Sequence, residues 1–175
     1  MKTIEVNLYK FSELSEEAQQ KVIEKFYDIN VDYDWWEYDY EDAENIGLIL
    51  TGFDLDRGSY CKGHFKWDAL ECANAIITNH GETCETYKTA LEFLKNRDGL
   101  VSKYSDKVNT EVVAEDNEYD FDQECDELEA EFLKDMLNAY KSILRDEYEY
   151  RVSREAIIET IEANDYDFTE AGELY

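Results

Sequence analysis

The sequence predicts a helix-dominated α+β fold: one acidic domain over residues 1–175, with a small antiparallel sheet and one long acidic helix. Three observations predict it. Apolar residues recur at helical spacing along most of the chain, behind residues that cap helices. One stretch, 48–67, instead reads as two strands about a glycine-bearing turn. No proline interrupts the 175 residues, which suits long helices.

Each element follows from local pattern. Thr3–Tyr9 alternates, with Ile4, Val6 and Leu8 on one side, and predicts a short N-terminal strand. Ser12 or Ser15 caps a helix running to about Asp28, with Glu16 and Glu17 in the favourable first turn. Its apolar positions are Ala18, Val22, Ile23 and Phe26. A second helix is predicted over 34–45, stopped by Gly47. Leu48–Asp56 and Ser59–Trp67 form the central hairpin around Arg57–Gly58. Helices over Asp68–Asn79 and Thr83–Asn96 end near Gly81 and Gly99. Residues 100–117 are polar and weakly periodic, and predict a flexible loop. A long helix spans about 119–148, and Ser153 caps a shorter one to Ala163. The tail Tyr166–Tyr175 has the composition of a small hairpin around Glu170–Gly172.

Composition excludes several classes. A chain of 175 residues buries about 70% of its unfolded surface, enough for a core without disulfides or metal. Hydrophobic residues make up 43% and aromatics 14%, too much for a disordered chain. No apolar run approaches the length of a membrane span. MKTIEVNLYKF lacks the apolar stretch of a secretion signal, so Cys61, Cys72, Cys84 and Cys125 are expected as reduced thiols in the cytoplasm. Against 17 basic residues stand 44 acidic ones, a net charge of −27. Such a chain repels nucleic acid and anionic membranes, and attracts basic surfaces and cations.

The charge is segregated. Residues 31–56 carry −9 and residues 111–135 carry −11, whereas 57–110 carry +1. On the predicted helix over 34–45, Asp34, Glu37, Glu41 and Glu44 form one stripe beside an apolar stripe of Trp36, Tyr40 and Ala43. Their carboxylates recur about every 5 Å along the axis. On the long helix, Asp120, Glu124, Glu127 and Glu131 form a second stripe, and Asp122, Asp126 and Glu129 a third. Phe121, Cys125, Leu128, Phe132 and Met136 lie between them. Like charges at i, i+4 destabilise a helix by a few tenths of a kcal/mol per pair, so their retention suggests a use. At one charge per ~1.7 Å of duplex, 27 charges match roughly 46 Å of DNA. This predicts a DNA mimic, with Tyr33, Trp35 and Tyr38 as exposed aromatic anchors among the acids.

Other chemistries fit less well. Cys61-x2-His64 and His80-x3-Cys84 have a tolerable zinc spacing. Cys61 and His64, however, share a predicted strand at an odd interval, which points them to opposite faces; buried thiols and a surface histidine account for the set. Asp116, Glu118, Asp120, Asp122, Glu124 and Glu127 occupy calcium-loop offsets, but Phe121 stands where that loop needs glycine. Asp54-x-Asp56-x-Gly58 is similarly incomplete. No phosphate-binding glycine loop, dinucleotide fingerprint or nucleophile elbow occurs. No catalytic residue and no cofactor are expected.

Three segments, YKFSELSEEAQQKVIEKF (9–26), ILTGFDLDRGSYCKGHF (49–65) and ETIEANDYDFTEAGELY (159–175), resemble a family of small acidic proteins encoded in bacteriophages and prophages, some of them labelled antitoxins. The resemblance implies a phage or prophage origin and the cytoplasm of a bacterial host; it supplies no functional residues. Together with the charge, it implies a non-enzymatic inhibitor of a basic, nucleic-acid-binding host protein, of the anti-restriction or anti-CRISPR kind. The alternative is an antitoxin that masks a basic toxin. The expected partner-binding residues are the two stripes (Asp34, Glu37, Glu41, Glu44; Asp120, Glu124, Glu127, Glu131) with Trp35 and Tyr38. The aromatic-rich faces permit a homodimer.

Overall fold

A computed structural model describes residues 6–108 and 114–175. It shows a helix-dominated α+β fold: helices α1 (Glu16–Lys25), α2 (Glu37–Asn45), α3 (Ala69–Asn79), α4 (Glu85–Val108), α5 (Ala114–Arg151) and α6 (Arg154–Ala163), with strands β1 (Leu48–Asp54) and β2 (Tyr60–Phe65). The described residues fall into two compact units, 37–144 on one hand and the remainder, up to Trp36 and from Arg145, on the other.

In the unit of residues 37–144, β1 and β2 pair antiparallel from Leu48↔Phe65 to Asp54↔Tyr60, with a bulge between Leu50 and Gly52. Burial alternates along β2, and Cys61 and Phe65 turn toward the core. Gly47 ends α2 at φ +84°, where a Cβ would run into the Trp67 indole. Only glycine adopts that conformation without strain. Gly63 passes so close to the Ile49 carbonyl across the ladder that a side chain has no room.

The core of this unit draws Ala43 and Ile46 from the α2 end, Leu48 and Leu50 from β1, Ala73 and Ile76 from α3, Phe93 from α4, and Phe132, Met136 and Tyr140 from α5. Phe132 stacks between Phe93, at 4.3 Å, and Phe65, at 5.6 Å. Burying one such ring contributes roughly 1.5–3 kcal/mol. The predicted apolar strip of the long helix is this seam: Phe121, Cys125 and Leu128 are half-buried, and Phe132 and Met136 fully so. Asp68 caps α3 by accepting the Glu71 amide at 2.7 Å.

In the other unit, α1 and α6 bury Ala18, Val22, Ile23, Ile157 and Ile161 around Phe11, Leu14 and Phe168. Ser15 and Ser153 cap the two helices, accepting the Ala18 and Ala156 amides.

Four expectations need correction. Of the predicted N-terminal strand, residues 3–5 lie outside the described residues. Residues 6–8 are irregular, and Tyr9 makes a single bridge to Phe168. The C-terminal hairpin reduces to one further bridge, Phe168 to Leu174, closed by a turn in which the Gly172 amide donates to Thr169. The predicted loop over 100–117 is helical wherever it is described: 100–108 complete α4 and 114–117 begin α5. The second helix starts at Glu37 rather than Asp34, because Tyr33–Trp36 form turns that direct the Trp35 ring into a buried aromatic cluster.

Candidate functional site

The acidic faces are built by burial on the opposite side. In α2, Ala43 is fully buried, and Glu37, Glu41 and Glu44 face solvent. Glu44 is pinned by Lys66 at 2.8 Å; Glu37 and Glu41 have no ion-pair partner among the described residues. Asp34 is exposed but lies ahead of the helix, so the predicted stripe of four holds three helical members. Tyr38 is 79% exposed, as an anchor would be. Trp35 is not: it is 6% exposed, set edge-on to Trp36 at 5.6 Å and tilted against Tyr148 at 5.8 Å. Tyr33 is exposed, with its hydroxyl accepting from Arg151 at 2.7 Å.

Along α5, Asp120, Glu127 and Glu131 face solvent, as do Asp122 and Asp126. Glu124 differs. Lys103 Nζ reaches its two oxygens at 2.6 and 2.7 Å, and the Tyr104 hydroxyl donates to it at 2.8 Å. Hydrogen bonding to Glu124 raises the pKa of both donors, so Lys103 keeps its charge and Tyr104 its proton. Glu124 therefore ties α5 to α4 rather than standing free. Glu129 is half-buried; desolvation first, then the charges of Asp126 and Asp68, raise its carboxyl above the usual range.

Between α4 and α5 runs a groove of about 410 Å³. Its sides carry Glu85 and Glu92 from α4 and Glu131 and Asp135 from α5, over apolar residues that include Phe93 and Phe132. No lysine or arginine among the described residues lines it. Only Glu131 belongs to the stripes expected from sequence. Residues 85, 89, 92 and 96 do recur at helical spacing, a signal hidden because the segment around them is close to neutral overall.

A second polar cluster, which no local sequence pattern announces, centres on Asp42. The buried Tyr140 donates its hydroxyl to Asp42 Oδ2 at 2.7 Å. His80 places Nε2 3.5 Å from Oδ1, and its Nδ1 lies 2.7 Å from Thr86 Oγ1. Thr86 is 2% exposed, so its hydroxyl anchors the ring and is closed to any substrate.

The zinc set is not assembled. Cys61 faces the core and His64 solvent, on opposite sides of β2, and His80 is engaged by Asp42 and Thr86. Burial pushes the Cys61 thiol up to about 11 and the Cys72 thiol up to about 12, so both stay protonated at neutral pH. The calcium offsets 116–127 lie within helix α5, not in a loop. Among the described residues, no group of three or more His, Cys, Asp or Glu side chains is placed to hold a metal ion. No helix among them is long and apolar enough to cross a membrane.

Compared with known proteins, the chain matches no family pattern, no curated protein and no solved structure.

Proposed function

We propose that this protein is a non-enzymatic inhibitor, of phage or prophage origin, that occludes the nucleic-acid-binding surface of a host defence or DNA-processing protein. One observation carries the reading. Of the eight stripe carboxylates, Asp34, Glu37, Glu41, Asp120, Glu127 and Glu131 face solvent with no ion-pair partner among the described residues. Five of these six stand on helices whose opposite sides are buried, so the backbone holds the charges in a fixed array as a duplex holds its phosphates. The segregation of charge into 31–56 and 111–135 supports it.

The mechanism is competitive occlusion. Long-range attraction accelerates encounter with a basic cleft, and association weakens as salt screens it. Tyr38, exposed among the α2 acids, supplies an amphipathic ring of the kind that anchors interfaces. The test is capture of the tagged protein's partner from bacterial lysate, followed by elution with competing duplex DNA. The expected result is one nucleic-acid-binding protein, released by DNA and by about 0.5 M salt. A partner that duplex DNA leaves in place, such as a small basic toxin, refutes the mimicry. So does a single carboxylate substitution that erases inhibition, because an array of charges loses binding by degrees.

A further inference from the structure

The groove between α4 and α5 differs from the convex acidic stripes in having a concave shape and an apolar floor. Glu92, Glu131 and Asp135 have no ion-pair partner among the described residues, and only Glu85 is engaged, by Lys88 at 3.2 Å. Phe93 and Phe132 stack beneath them at 4.3 Å. At about 410 Å³ the groove has room for the ends of one or two long side chains.

Its chemistry specifies which. The occupant must carry a slim apolar stem, to pass between the helices beside the half-buried Leu128, and a cationic head, to meet carboxylates on both sides. Lysine and arginine both combine these. Arginine fits better: its planar fork serves two carboxylates at once and it is the more weakly hydrated cation. We propose that the α4–α5 groove is the docking site for an arginine side chain from a basic segment of the target protein. The proposal rests on the reading of this protein as an inhibitor of a basic partner, and it names the part of that partner that is held.

The probe is fluorescein-labelled hexa-arginine, titrated into the full-length protein at about 0.15 M salt and followed by anisotropy. Four variants are compared: Glu92→Gln/Glu131→Gln/Asp135→Asn in the groove; Asp34→Asn/Glu37→Gln/Glu41→Gln, an equal charge change elsewhere; and the plugs Thr89→Trp and Ser142→Trp, which fill the groove at constant charge. Circular dichroism establishes that each is folded, and two plugs are made so that one suffices. The groove triple is expected to weaken binding about tenfold more than the control triple, and a folded plug to weaken it comparably. Equal weakening by the two triples, or unchanged affinity in a folded plug, overturns the proposal and leaves uniform charge attraction. No target and no DNA take part, so this result is separable from the DNA-displacement test of the wider function.

Discussion

Removing the Tyr140 hydroxyl tests how the acidic helix α2 is held to its unit. Asp42 is half-exposed on α2, and Tyr140 on α5 is fully buried. The neighbouring His80 first, and the Tyr140 hydroxyl after it, hold the Asp42 carboxyl below its usual range, against burial that raises it. At 3.5 Å the His80 approach is an ion-pair distance, and among the described residues Nε2 has no hydrogen-bond partner of good geometry. The 2.7 Å bond from Tyr140 is therefore the firmer link. A hydrogen bond to a charged group contributes about 1.5–3 kcal/mol. Because Asp42 can rehydrate once the hydroxyl is gone, Tyr140→Phe is expected to cost about 1–2 kcal/mol. Asp42→Ala costs about 1–3 kcal/mol, since it strands a buried hydroxyl. The double variant should show coupling of about 1–2 kcal/mol.

The pH dependence has a definite sign. A carboxyl with a depressed folded pKa adds stability that is fully present above its unfolded value, 3.8 for Asp42, and is lost as pH falls through the lower folded value. The stability gap between wild type and Asp42→Asn is thus full near about pH 6 and closes below about pH 4. Acid also relieves the self-repulsion of a chain carrying −27, which raises every variant together. The neighbouring exposed Glu41→Gln serves as the control for losing one charge. Urea denaturation across that range is the assay. A coupling below about 0.5 kcal/mol, or a gap unchanged down to about pH 3, refutes the reasoning.

Further expectations follow from the same packing. Phe132→Ala empties the centre of the aromatic stack and should cost about 3–5 kcal/mol in urea unfolding. Gly63→Ala forces a methyl onto the Ile49 carbonyl; a large loss of stability is expected, and wild-type stability would show the ladder to be looser than described. Ser153→Ala removes the α6 cap and should cost about 1 kcal/mol. Glu37→Gln/Glu41→Gln/Glu127→Gln/Glu131→Gln removes two i, i+4 repulsions, which should raise stability by about 0.2–0.5 kcal/mol per pair while weakening partner capture and flattening its salt dependence.

Much of the fold was legible because its signals are local. Ser15, Asp68 and Ser153 cap helices by reaching amides three residues on, a relation written in the sequence. The hairpin's turn at Arg57–Gly58 and the apolar strip from Phe121 to Met136 are equally local. The extension of α4 was missed because Gly99 resembles a stop. A Cβ at Gly99 would meet open space, so the glycine costs about 1 kcal/mol of propensity. The row Phe93, Arg97, Leu100 and Tyr104, with Tyr104 buried, continues through it and outweighs that cost. The burial of Trp35 was invisible because its partner Tyr148 lies more than a hundred residues away in a chain whose neighbouring residues are all acidic or aromatic. The groove needed two helices, of which only α5 announced itself by charge.

The placement of the cations argues that the negative faces are kept rather than merely tolerated. Residues 57–110 carry slightly more basic than acidic side chains, so the chain does not lack the means to neutralise its helices. Lys66 and Lys103 show where those means go: each takes one stripe carboxylate, Glu44 at the end of α2 and Glu124 where α5 meets α4. Both are positions where an element must be fastened to its neighbour. Glu37 and Glu41, and Glu127 and Glu131, remain as like-charged i, i+4 pairs facing water, although each pair works against its own helix. A surface under selection for stability alone gains by placing lysine at such spacings. The seam of Phe93, Phe132, Met136 and Tyr140 offsets the repulsion, and the charge it sustains is what the proposed basic partner would recognise.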